Sequence, residues 1–126
     1  MAFVTGVFKV SKLPTIPKTY ANQQVIYRAS NGEKDRYGKQ KTTDTIINNC
    51  VFQQETIYTG TGNSREVVAN AVLFIYADVS TPLLKFDKNS QGNKIVFDGV
   101  EYTIKRIVEN RNPMSNDVWN YELEVL

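Results

Sequence analysis

The stretch "NKIVFDGVEYTIKRI", residues 93–107, decides the fold class. Two apolar, β-branched runs flank Asp98 and Gly99, and these two residue types tolerate the positive φ angles that a two-residue hairpin turn demands. The segment reads as a β-hairpin with arms at residues 94–97 and 100–108. Val96, Val100, Tyr102 and Ile104 are expected to lie close together on it and to fill a β core.

Working outward, the carboxy-terminal run "VWNYELEVL" alternates with period two, which predicts a strand with Trp119, Tyr121, Leu123 and Val125 on one face and Asn120, Glu122 and Glu124 on the other. Upstream, "EVVANAVLFIYADV", residues 66–79, mixes helix-favouring alanines with Val67, Val68, Val72, Phe74, Ile75 and Tyr76; it reads as a long buried strand. In "TDTIINNCVFQQE", residues 43–55, the alternation breaks near Asn48 and Asn49, which predicts a strand with a bulge. "QQVIYRA", residues 23–29, is a further strand. Two polar, glycine-containing segments, residues 30–41 and 56–65, read as exposed loops longer than chain reversal requires. Before residue 23, Phe3, Phe8 and Val10 suggest a short apolar element, and Pro14 and Pro17 interrupt regular structure after it.

These elements predict an all-β domain at residues 23–126, a small antiparallel β-barrel or sandwich of five to six strands with long polar loops, preceded by an N-terminal arm at residues 1–22. A chain of 126 residues accommodates one such core and not two. Hydrophobic residues at 41% and charged residues at 22% fit a folded globular chain. The net charge of +2 offers a polyanion little attraction unless charges segregate in space. A single cysteine, Cys50, excludes an intramolecular disulfide and fits a reducing compartment. The longest apolar run, "AVLFIYA", is far shorter than the ~20 residues that span a bilayer, so no membrane helix is expected, and the amino terminus does not read as a secretion signal.

The composition also bears on chemistry. Without histidine, no Ser/His/Asp or Cys/His nucleophile can be assembled, and the sequence is read as that of a protein with no catalytic site, cofactor or metal. Glu122 and Glu124 could act as paired carboxylates, but on an alternating strand they read as a solvated face. Residues 87–98 superficially follow calcium-loop spacing; Gln91 and Asp98 stand where stronger ligands belong, so an ordinary polar turn is expected. Cys50, with no cation near it in sequence, reads as a buried inert thiol. Lys34, Asp35, Arg36, Tyr37, Lys39 and Lys41 form a mainly basic cluster around one aromatic ring, a candidate contact loop for a neighbour or for nucleic acid. Trp119, Tyr121 and Tyr102 would serve a carbohydrate- or nucleic-acid-binding barrel if their rings shared an exposed platform.

The order of the Gly38 loop, "NNCVFQQ", "TGNSREVVANAVLFIYADV", "GNKIVFDGVEYTIKRI" and the terminal "YELEVL" resembles the minor capsid protein family encoded in the head-morphogenesis region of tailed phages, from about Tyr27 onward. The resemblance implies a head–tail connection protein of the adaptor or head-closure (stopper) type: a β-barrel in a homo-oligomeric ring around the DNA channel, with portal or adaptor proteins above and tail-completion proteins below. It implies residence in the neck of the virion after synthesis in the host bacterial cytoplasm, non-specific contact with channel DNA and no membrane partner. The candidate channel or assembly loop is then Thr56, Ile57, Tyr58, Thr59, Gly60, Thr61, Gly62, Asn63, Ser64 and Arg65, expected to be mobile in a free monomer. A tail-terminator or tail-completion ring protein is the alternative of the same class.

Overall fold

The computed structural model describes residues 16–126; the expectations placed on Phe3, Phe8, Val10 and Pro14 lie outside the described residues. Among the described residues six strands form: β1 (Gln23–Lys34), β2 (Gln40–Thr59), β3 (Glu66–Tyr76), β4 (Lys94–Phe97), β5 (Val100–Arg111) and β6 (Val118–Val125). All pairings are antiparallel, and the strands close into a barrel in the order β1-β2-β3-β6-β5-β4. Closure leaves no free sheet edge around the waist of the molecule.

The β4–β5 hairpin turns through Asp98 (φ 54°) and Gly99 (φ 80°), with Phe97 opposite Val100. Its inward face differs from the expected one. Ile95 and Ile104 are fully buried, with Phe97 and Tyr102 packed on the core, whereas Val96 faces outward and Val100 is 51% exposed at the tip. Both faces of this hairpin carry β-branched residues, so alternation alone does not choose between them; the turn aligning Phe97 with Val100 does.

Strand β2 contains the anticipated bulge. Gln23 lies opposite Cys50 and Gln24 opposite Asn48, leaving Asn49 as the extra residue at φ 57°. The extra residue switches the parity of β2, so Ile47 points inward before it and Cys50 and Phe52 after it. Asn49 suits the position because its short amide tolerates the left-handed region and donates from Nδ2 to the Ala21 carbonyl at 3.0 Å. Strand β3 buries Ala69, Ala71, Leu73 and Ile75. It ends at Tyr76, earlier than the sequence suggested, where the amides of Val79 and Ser80 turn back onto the Tyr76 carbonyl.

From β3 the chain must reach β4, which is not its neighbour, and residues 77–93 make that crossing. Ser80 Oγ donates to the Asn49 carbonyl at 2.6 Å, and Thr81 pairs with Asn48, tying the connection to the bulge. Further along, Phe86 is 1% exposed and meets Tyr27 and Tyr121 edge-on, each at 5.1 Å between ring centroids. This ring joins the inward residues of the strands to complete the core.

Candidate assembly surfaces

Neither polar segment is the irregular loop that its composition suggested. Strand β1 runs on to Lys34 and β2 begins at Gln40, so most of residues 30–41 is a two-stranded ribbon closed by a short turn. Polar residues alternate with polar residues there, and a ribbon that buries neither face leaves no hydrophobic period to read. At the turn, the Asp35 carboxylate accepts from the amides of Tyr37 (2.8 Å) and Lys39 (3.0 Å), and the Asp35 amide donates to the Lys39 carbonyl at 2.8 Å. One acid of the predicted basic cluster is thus committed to the backbone. Tyr37 is 83% exposed, with the Arg36 guanidinium 5.5 Å from its ring centroid. Lys34, Arg36, Lys39 and Lys41 remain exposed around it.

The second segment is shortened likewise. Thr56, Ile57, Tyr58 and Thr59 belong to β2, and only residues 60–65 lie between strands. Ile57 lies opposite Ala69, Tyr58 opposite Val67 and Thr59 opposite Glu66. Gly60, Thr61, Gly62, Asn63, Ser64 and Arg65 form the tip, with a single 3-10 turn at Gly62–Ser64. Gly60 sits at φ +87°, and a Cβ there would come within 2.7 Å of the Ser64 carbonyl oxygen, so the tight tip requires glycine. Arg65 folds its guanidinium over Tyr58 at 4.4 Å from the ring centroid. Where the sequence offered little to anchor this segment, the structure has a paired hairpin whose tip has its own contacts.

The two ribbons leave the barrel at opposite ends of β2. β1 pairs with β4 only at Ile26, Tyr27 and Arg28, and the Ser30 amide donates to Asn93 Oδ1 at 3.3 Å, so beyond Ser30 the ribbon's only strand neighbour is β2 among the described residues. β3 gains β6 only from Ala71 onward, so the other hairpin likewise projects as a pair. Beside it lies a groove of about 570 Å³, lined by Ile57, Tyr58, Val67, Leu126 and the charged Lys105, Arg106 and Glu124.

The other chemical candidates resolve individually. Glu124 accepts an ion pair from Arg106 at 3.1 Å and Glu122 a hydrogen bond from Asn110 Nδ2 at 2.7 Å, so these carboxylates bind across strands. Asp87 caps the 3-10 turn at Lys88–Ser90 through the Asn89 amide at 2.9 Å. Cys50 is fully buried, and burial pushes its thiol up to about 11. The aromatic platform does not assemble: Tyr121 lies in the core, Tyr102 tilts against Phe52 at 5.1 Å, and Trp119 meets Tyr76 edge-on at 6.2 Å. On the outer wall, Arg28 bridges Asp44 at 2.9 Å and Glu101 at 3.0 Å; its hydrogen bonds raise its own affinity for the proton and lower that of Asp44. Sequence reading had missed this bridge, because its members are 16 and 73 residues apart along the chain.

Comparison with known proteins gives a family. A family model described as "Minor capsid protein" matches residues 17–125. The chain is 36% identical over 118 residues to "Uncharacterized protein ORF5" of Lactococcus phage LL-H, covering 91% of this chain and 99% of that protein. It is 36% identical over 99 residues to the protein of the same designation in Lactococcus phage mv4, covering 76% of this chain and 87% of that one. The similarity begins ahead of the Tyr27 boundary read from sequence and takes in the segment that leads into β1.

Proposed function

The chain belongs to the minor capsid protein family, and from that premise we propose that it is a ring-forming component of the phage head–tail interface. Its membership makes it a capsid-associated, virion-located protein. The observation that carries the finer reading is the pair of ribbons leaving a closed barrel at opposite ends of one strand. A structural unit joining two unlike assemblies needs one contact device toward each, held at a fixed separation, and β2 supplies both from 20 continuous residues. Straight, such a strand would span roughly 60 Å at ~3.3 Å per residue.

The two tips differ in chemistry. The ribbon ending at Tyr37 presents four cations, Lys34, Arg36, Lys39 and Lys41, around an exposed ring, with the Asp35 carboxylate turned onto its own backbone. That composition suits phosphates or an acidic protein surface. The tip at residues 60–65 has Arg65 turned onto Tyr58 and is otherwise small and uncharged, which suits close packing among identical copies about an axis. No cluster of three or more Cys, Asp or Glu among the described residues is arranged to hold a metal ion.

Electron microscopy of the virion neck tests the proposal. A ring at the junction of head and tail, with barrel-sized density and the 60–65 tips toward the channel, is the expected result. Location of the protein over the head shell, or at the end of the tail tube, would overturn it.

A further inference from the structure

The barrel is closed around its waist, but the hairpin that projects at residues 57–69 is not. Strand β6 joins β3 only from Ala71 onward, so residues 66–70 pair with β2 on one side and have no strand neighbour on the other among the described residues. An unpaired strand edge presents its N–H and C=O groups as a template for another strand. The groove of about 570 Å³ lies beside this edge, with Ile57, Val67, Val68 and Leu126 as its apolar lining and Val67 41% exposed. Its charged lining is Glu66, Lys105 and the paired Arg106 and Glu124, two of each sign. The charges balance, so apolar contact and main-chain pairing select the occupant.

The chain itself contains a segment with matching properties. In "AFVTGVFKV", residues 2–10, period two sets Ala2, Val4, Phe8 and Val10 on one side with Gly6, and Thr5 and Lys9 on the other with Phe3 and Val7. One side is wholly apolar, and Lys9 is the only charge in the nine residues. The described chain fixes where this segment starts from. The Tyr20 and Ala21 amides donate to the Pro17 carbonyl, and the Ala21 carbonyl accepts from Asn49, so the arm departs beside the β2 bulge. From Asn49 to Tyr58 the strand covers roughly 30 Å at ~3.3 Å per residue, and the groove lies past it on the β3 side. Residues 1–15 reach at most ~50 Å when fully extended. On its own barrel the arm would use about nine residues on the way, which leaves Phe8 and Val10 short of the groove. The arm of an adjacent copy, approaching from the groove side, is free of that detour and can lay down the whole of residues 2–10.

We propose that residues 2–10 of one copy add as a strand to the β3 edge of the next copy at residues 66–70, with Val4 and Phe8 seated in the groove against Val67 and Leu126. This rests on the ring reading above, which supplies the adjacent copy, and it identifies a clasp between neighbours. In strand addition the backbone hydrogen bonds hold the incoming segment while alternate side chains fill the pockets beside the edge. An arm on one patch and a groove on another make a heterologous contact, which repeats head to tail and closes when the rotation permits. The family match begins at residue 17, so the clasp is a contact of this chain and not one read from the family.

The test uses phage particles carrying the Thr5→Cys/Val67→Cys double variant, treated with a short bismaleimide, denatured and separated by size. The native Cys50, fully buried, stays out of the reaction. A covalent ladder extending beyond the dimer is expected from the double variant, and none from either single variant. A second measurement needs no substitution: trypsin should cut after Lys9 at least ~10-fold more slowly in wild-type particles than in the isolated protein diluted to the monomer. No ladder, cross-linking confined to single chains, dimers from Thr5→Cys alone, or equal cleavage rates would overturn the arm docking. If microscopy still places the protein in a neck ring, the head–tail reading stands while the arm docking falls.

Discussion

Replacing residues 60–65 by Asn-Gly separates the fold from the function of the hairpin tip. Thr59 and Glu66 lie directly opposite one another, which is the geometry a two-residue hairpin turn joins. The replacement removes the Arg65 guanidinium from the Tyr58 ring, a contact worth about 0.5–1 kcal/mol at an exposed site. Shortening the connection threefold returns about 1 kcal/mol of loop-closure entropy. The tip contributes nothing buried, so the two terms nearly cancel. The isolated protein should unfold within about 1 kcal/mol of wild type, or about 4 °C in melting temperature. Urea titration followed by tryptophan fluorescence measures this, since Trp119 sits half-buried against Tyr76. Phage particles built with the variant should leak DNA or fail to join tails, scored by packaged-DNA retention and infectious titre. Loss of folding in the isolated variant would mean that the tip belongs to the core, and wild-type titre would mean that it has no part in assembly.

Gly99→Val should destabilise by at least ~1 kcal/mol through backbone strain alone, because φ is +80° there and the space around a Cβ is open; an unchanged denaturation midpoint would refute the turn assignment. The Cys50 thiol should not react with a disulfide reagent at pH 8 unless the chain is unfolded, and prompt labelling of the native protein would contradict its burial. Because its folded-state pKa is raised from 9.0 to about 11, its contribution is intact below about pH 9 and declines as pH rises toward 11, by on the order of 2–3 kcal/mol. Cys50→Ala should flatten that alkaline loss, and an equally steep loss in the variant would assign it to other groups. Chelation of divalent ions should leave the melting temperature unchanged, since Asp87 is engaged as a turn cap; a fall restored by calcium would show a working site at residues 87–98.

What the sequence disclosed follows what the core constrains. The 98–99 turn, the bulge at Asn49 and the inward run Tyr121, Leu123 and Val125 were legible because burial imposes a period and departures from it are visible. The ribbons read as loops for the converse reason: residues 30–34 and 40–42 are paired to each other but bury no continuous face, so their strand character rests on cross-strand hydrogen bonds that composition does not record. Phe86 was overlooked because a lone aromatic in an irregular connection has no period at all. That both candidate segments extend from one strand emerges only from the register.

That shared strand has a mechanical consequence. A load applied between the two tips runs along β2, parallel to its ladders with β1 and β3, so the hydrogen bonds of both ladders resist it together in shear instead of being unzipped one at a time. Sliding is blocked as well, since slipping by one residue would turn the inward side chains of β2 out of the core. The compliant points are the places where a ladder is interrupted: Asn49 on the β1 side, and the register shifts between Gln54 and Tyr58 on the β3 side. The barrel is thus a stiff tie bar with elbows only where the register shifts: tension at one tip reaches the other with little stretch, and sideways displacement is taken up at those few residues.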